Sequence, residues 1–122
     1  MIIYNGLTVG TTADELDRRI AATKRQLAKL GELRPGILTE QYNVCGKPGC
    51  RCKASPPQRH GPYPQLGWTR NGKSTTRFVR REEVGTVRKQ IKNYARLQEL
   101  VQQWVDLSLE LCELKRAEAR AK

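Results

Sequence analysis

Three cysteines and a histidine fall within sixteen residues, Cys45, Cys50, Cys52 and His60, in a C-x4-C-x-C-x7-H pattern. Zinc takes four nitrogen or sulfur donors in a tetrahedron, and a structural site leaves no position open. These four side chains make such a donor set, and they are the expected ligands of a Zn2+ ion. Gly46, Pro48 and Gly49 permit a tight turn that brings Cys45 towards Cys50. The two glycines also let backbone N–H groups approach the thiolate sulfurs. Cys50 and Cys52 would project to the same side of an extended segment. Lys47, Arg51 and Lys53 would offset the charge of three thiolates. The spacing differs from that of the common zinc fingers. Without the cysteines, His60 would read as an ordinary loop histidine ahead of Gly61-Pro62. A second chemistry makes Cys45 or Cys50 a nucleophile with His60 as its base. It lacks an orienting acid, because residues 41–81 contain no carboxylate. The fourth cysteine, Cys112, lies on the long C-terminal helix, where a partly buried thiol is its simplest reading.

The charge around these residues is one-sided. The chain has 122 residues and a net charge of +11. Residues 1–40 carry six basic and five acidic side chains, and residues 82–122 carry eight and seven. Residues 41–81 carry nine basic side chains and no acidic ones: Lys47, Arg51, Lys53, Arg59, Arg70, Lys73, Arg77, Arg80 and Arg81. A solvated surface normally mixes its signs. A stretch this long without a carboxylate points to a polyanion, and nucleic acid is the first candidate.

These residues need elements to hold them. Thr12-Ala13-Asp14-Glu15 reads as a capping box. Leu16, Ile20, Leu27 and Leu30, with Thr23 between them, form one stripe of a helix over residues 12–31. Gly31 is a plausible stop and Pro35-Gly36 a firm break. Ile37 to Val44 is rich in β-branched and aromatic types and reads as a strand. Residues 45–62 read as loop. Asn71-Gly72 separates two β-compatible runs and predicts a two-residue type I′ hairpin. In that register Arg70 faces Lys73, Trp68 faces Thr75 and Leu66 faces Arg77. Trp68, Arg70, Lys73 and Arg77 then share a face. Like charges directly opposite destabilise a hairpin, so an anion is expected on that face.

From Arg81 to Ala119 the only interruption is Gly85. Leu97, Leu100, Trp104, Leu107, Leu111 and Leu114 follow a heptad seam. The first helix is too short to cover a helix of this length. A homodimer or higher oligomer through Leu97–Leu114 is therefore expected. The fold class is α+β: an N-terminal helix, a small three-stranded antiparallel sheet with a zinc-binding loop, and a long C-terminal helix with a coiled-coil-like oligomer interface. Residues 1–122 read as a single domain, with the zinc-loop and hairpin unit at 37–80 and the long helix at 81–119. No apolar run is long enough for a membrane span, and the first residues do not read as a signal peptide. A cytoplasmic protein is expected, where thiols stay reduced.

Enzymatic readings find little to rest on. There is no glycine-rich phosphate loop and no deaminase signature. Asp14, Asp17 and Asp106 are the only aspartates, all at helical positions. The stretches CGKPGCRC, HGPY and NGK, followed by Phe78-Val79 and a long charged helix, resemble a family of small bacterial proteins grouped as a domain of unknown function. The resemblance spans roughly residues 36–118 and leaves the first helix outside. It implies that Cys45, Cys50, Cys52 and His60 form one unit, and that the setting is near mobile genetic elements. Family members carry more aromatics where this chain has Pro64-Gln65, which implies less base stacking by this strand.

The expected function is therefore non-enzymatic nucleic-acid binding, with DNA favoured over RNA. Lys47, Arg51, Lys53, Arg59, Arg70, Lys73, Arg77, Arg80 and Arg81 would take phosphates. Trp68 or Tyr63 would stack on a base or wedge into a groove, unless Trp68 is sheet core. The protein would act as a regulator or as an accessory factor of a mobile element. The alternative is an adaptor that docks its long helix onto a larger protein partner.

Overall fold

The computed structural model describes residues 11–43, 47–55, 58 and 60–121. Val44, Cys45 and Arg59 lie outside the described residues. The chain runs α1 (Ala13–Ala28), β1 (Ile37–Asn43), a 3-10 turn (Arg51–Lys53), β2 (His60–Arg70), β3 (Lys73–Phe78), a second 3-10 turn (Arg81–Glu83) and α2 (Val84–Ala121). This is the expected α+β arrangement. The chain divides into two compact units. One holds α1 and the part of α2 from Ala95 onwards, and the other holds residues 32–94.

The second unit is built on an antiparallel sheet in the order β1-β2-β3. Asn71 (φ 52°) and Gly72 (φ 76°) both take left-handed conformations, as a type I′ turn requires. The register matches the reading from Asn-Gly: Arg70 faces Lys73, Trp68 faces Thr75 and Leu66 faces Arg77. One expectation fails. Residues 60–62 are not loop but the start of β2, where His60 pairs with Asn43 and Tyr63 with Gln41. Glycine and proline conceal this strand in the sequence, yet both prolines fit it. The Pro64 carbonyl accepts the Val79 N–H at 3.0 Å. The Pro62 carbonyl accepts from the Arg81 guanidinium at 2.7 Å. Both carbonyls face the β3 side, beyond the last ladder pair, Gln65 with Phe78. The missing proline N–H groups therefore cost no sheet bond.

The two faces of this sheet differ in composition. One carries Leu38, Leu66, Trp68, Arg70, Lys73 and Arg77. Its core is Leu66, Val79 and Val87, with Leu38, Trp68, Val84 and Ile91 packed around them. The first turns of α2 thus cover the sheet at Leu66. Gly36 admits the chain to this sheet at φ 142°, where a Cβ would lie 2.8 Å from Leu66 Cδ1 and 3.0 Å from the Gly67 carbonyl. The opposite face carries Ile37, Thr39, Tyr63, Gln65, Gly67, Thr76 and Phe78.

In the other unit, the Thr12 hydroxyl accepts the Glu15 N–H at 3.1 Å and starts α1. The helix ends at Ala28 with Lys29 as its cap, three residues short of the expected end at Gly31. Leu16, Ile20 and Thr23 are its buried stripe. The Thr23 hydroxyl is satisfied by donating to the Arg19 carbonyl at 2.9 Å. The Arg96 guanidinium donates to Gln26 at 2.8 Å, and the Lys24 ammonium lies 5.0 Å from the Trp104 ring centroid.

α2 has 38 residues, about 57 Å at 1.5 Å per residue. The expected oligomer seam does not face outwards as a set. Leu100 is fully buried (0% exposed) within the chain. Leu97, Leu107, Leu111 and Leu114 are half-buried. The outward apolar face is instead Val101, Val105 and Leu109, with Trp104 at its margin. Leu100 is thus covered within the chain, whereas the other seam residues keep part of their surface exposed. Among the described residues, no helix is long and apolar enough to cross a membrane.

Candidate metal centre and cationic surface

Lys47-Pro48-Gly49-Cys50 forms the turn that delivers the first described cysteine. The Cys50 N–H donates to the Lys47 carbonyl at 3.4 Å, and Gly49 sits at φ 76°. Proline followed by a left-handed glycine is the signature of a type II turn. Cys50 then starts the 3-10 turn, with Lys53 N–H donating to its carbonyl at 2.9 Å. The expected extended segment from Cys50 to Cys52 is therefore a helical turn. The Arg51 carbonyl accepts both Ala54 N–H (3.1 Å) and Gln58 N–H (2.9 Å), which folds the chain back towards His60.

Turn and strand bring three donors together. The ligand atoms of Cys50, Cys52 and His60 all lie within 4.8 Å of one another. Cys50 Sγ is 3.2 Å from His60 Nε2. Tetrahedral zinc, with bonds near 2.3 Å to sulfur and 2.0–2.1 Å to nitrogen, sets its donors about 3.5–3.8 Å apart. The group could hold a metal ion with small side-chain adjustments. Cys52 is 1% exposed, and Cys50 and His60 are half-buried, so the site is shielded on one side. The fourth expected ligand, Cys45, lies outside the described residues. Cys112 is exposed on α2, not partly buried as the sequence reading had it.

The cations expected to meet an anion are exposed wherever they are described: Lys47, Arg51, Lys53, Arg70, Lys73, Arg77, Arg80 and Arg81. Arg59 lies outside the described residues. Among the described residues, the ion pairs are Arg96–Glu99 and Arg116–Glu113, both in the helical unit. None of the described cations of residues 41–81 is held by a carboxylate. Arg70 and Lys73 stand directly opposite each other beside the hairpin turn.

Trp68 is half-buried against the core. It packs against the Leu66 cluster, and two guanidinium groups lie near its ring, Arg34 at 4.6 Å and Arg77 at 5.8 Å from the centroid. Sequence reading missed Arg34, which precedes Pro35-Gly36 and looks like part of a linker. It also missed Phe78, which is 67% exposed and meets Tyr63 edge-on, with ring centroids 6.2 Å apart. Strand alternation from Leu66 does place both rings on the face away from the core.

Fold and site define an α+β protein with a cysteine–histidine cluster mounted at the start of the middle strand of a small sheet. The chain belongs to the family described as Domain of unknown function (DUF6788), which matches residues 13–89. The match begins at the first residue of α1, so the first helix is part of the family unit, contrary to the expectation from the motifs. No curated protein and no solved structure matches the chain.

Proposed function

We propose that the protein is a non-enzymatic nucleic-acid-binding protein, with DNA favoured over RNA. Its contact surface is the basic hairpin and the loop that carries Cys50 and Cys52. The observation that carries this reading is the set of eight exposed cations without a carboxylate partner among the described residues. The Arg70–Lys73 pair supports it, because opposed like charges lower hairpin stability unless an anion relieves them. Zn2+ held by Cys50, Cys52, His60 and Cys45 gives the loop its shape. The chain reaches Cys45 two residues after Asn43, the partner of His60. A regulator, or an accessory factor of a mobile genetic element, is the role in view.

An adaptor reading draws on one observation, the exposed Val101, Val105 and Leu109 on α2. The same face is available to a second copy of the chain. Salt separates the two readings. Fluorescence anisotropy with duplex DNA, single-stranded DNA and RNA at several salt concentrations should give a log–log slope of about −4 or steeper for duplex DNA. Adaptor binding would respond to Val105→Lys and hardly to salt. Failure to bind any of the three nucleic acids near physiological salt would reject the nucleic-acid reading.

A further inference from the structure

Among the described residues, the sheet face turned away from α2 carries no charge. Ile37, Thr39, Tyr63, Gln65, Thr76 and Phe78 lie on it, between strands that bear cations on the other face. Ile37 is 70% exposed, Phe78 67% and Tyr63 41%. In a chain this basic, a surface so apolar and uncharged needs a partner that is itself flat, apolar and neutral. At one end of the face a cleft of about 510 Å³ is lined by Asn43, His60, Tyr63 and Phe78. It offers aromatic surface beside an amide that can both donate and accept.

This composition fits an unpaired nucleobase. Bases stack on exposed aromatic side chains of an open sheet, with polar groups reading their edges. Asn43, exposed at the end of β1, has the amide that matches a base edge. The charge layout agrees. Arg51 and Lys53 lie on the loop leading to His60, and Arg80 and Arg81 come two and three residues after Phe78. Arg81 is held against Pro62, one residue from Tyr63. Phosphates on either side of a stacked base would meet these cations, while the base itself would meet none of the described ones. Trp68 is a poorer platform, since it is half-buried with two guanidinium groups near its ring.

We propose that the Tyr63–Phe78 face receives an unpaired base, so that the protein prefers nucleic acid with a single-stranded element over a fully paired duplex. This inference rests on the nucleic-acid reading above and deepens it. The base is the shared chemistry of DNA and RNA, and separate probes distinguish them.

The test uses the full chain and two duplexes of equal phosphate number, one fully paired and one with a bulged 2-aminopurine, each made in DNA and in RNA. The wild type should bind the bulged probe about tenfold more tightly and quench its fluorescence. Phe78→Ala should remove that preference and the quenching. It should leave paired-duplex affinity and salt slope unchanged, because Phe78 is exposed and uncharged. Phe78→Trp should keep the preference. Tyr63→Ala serves as the second variant. Preference for the bulge in DNA, RNA or both supports the inference. Equal binding of bulged and paired probes overturns it and leaves the nucleic-acid reading standing, as does a preference that survives both alanine variants. No binding to any probe overturns both.

Discussion

The two units of the chain have almost opposite characters. Residues 32–94 carry thirteen basic and four acidic side chains, a net +9. The helical unit carries ten basic and eight acidic ones, a net +2. Its described ion pairs are short-range and on the surface, and its interior is a helix pair closed by Leu16, Ile20 and Leu100. The sheet unit has its own core, Leu66, Val79 and Val87, and, among the described residues, cations without carboxylate partners. A unit that concentrates like charge forgoes part of its stability through self-repulsion. The helical unit is organised to be stable. The sheet unit instead presents its cations to solvent, and its cysteine–histidine group could hold a metal ion, which would help so small a sheet stay folded.

The largest effect should come from the metal. Cys50→Ser should weaken zinc binding by more than about a hundredfold, beyond the usual loss from an outer-shell change. Hydrogen exchange should then show lost protection over β1 and β2 and retained protection over α1 and the C-terminal half of α2. Full metal content in that variant, measured by mass spectrometry of the intact protein, would break the comparison at its root.

Core truncation should come next. Leu100→Ala should cost about 2–5 kcal/mol by chemical denaturation, with the exchange losses confined to the helical unit. Leu66→Ala should cost a similar amount but act on the sheet unit. If both variants melt every element equally, the two units are one cooperative body. Gly36→Ala should cost about 1–3 kcal/mol, because its φ of 142° and the 2.8 Å approach to Leu66 leave no room for a Cβ.

The smallest stability effects should belong to the charges, and they should differ in sign between the units. Lys73→Ala should leave the sheet unit unchanged or about 0.2–0.5 kcal/mol more stable by relieving Arg70. It should also lower duplex affinity, with the salt slope shallower by about 1. Arg96→Ala in the helical unit should cost no more than about 0.5 kcal/mol and leave nucleic-acid affinity untouched. A Lys73→Ala variant that loses stability and keeps its affinity would mean that the hairpin cations serve the fold.

Much of this was legible in the residues because the signals are local. Asn71-Gly72 alone specifies the turn, since only residues tolerant of positive φ fit both of its positions. Strict alternation then fixes which side chains face each other. Thr12 and the Leu16–Ile20 stripe specify the start and the buried side of α1. Three of the four expected ligands, Cys50, Cys52 and His60, come together as their types and spacing suggest. The start of β2 was hidden because Gly61, Pro62 and Pro64 disfavour a strand locally. Only the end of the β3 ladder, distant in sequence, makes their missing N–H groups harmless.

The same reasoning divides the molecule's properties. The sequence by itself determined the order of the main elements, the hairpin register, three of the donors and the concentration of positive charge, all set by neighbours along the chain. The tertiary structure alone decided what covers each apolar stripe. It gave the first turns of α2 to the sheet and the rest to α1, buried Leu100 within the chain, and drew Trp68 into the core. It also left Tyr63 and Phe78 exposed among the described residues. Burial depends on which surfaces meet across long sequence separations, and a periodic pattern states only that a face is apolar, not what lies against it.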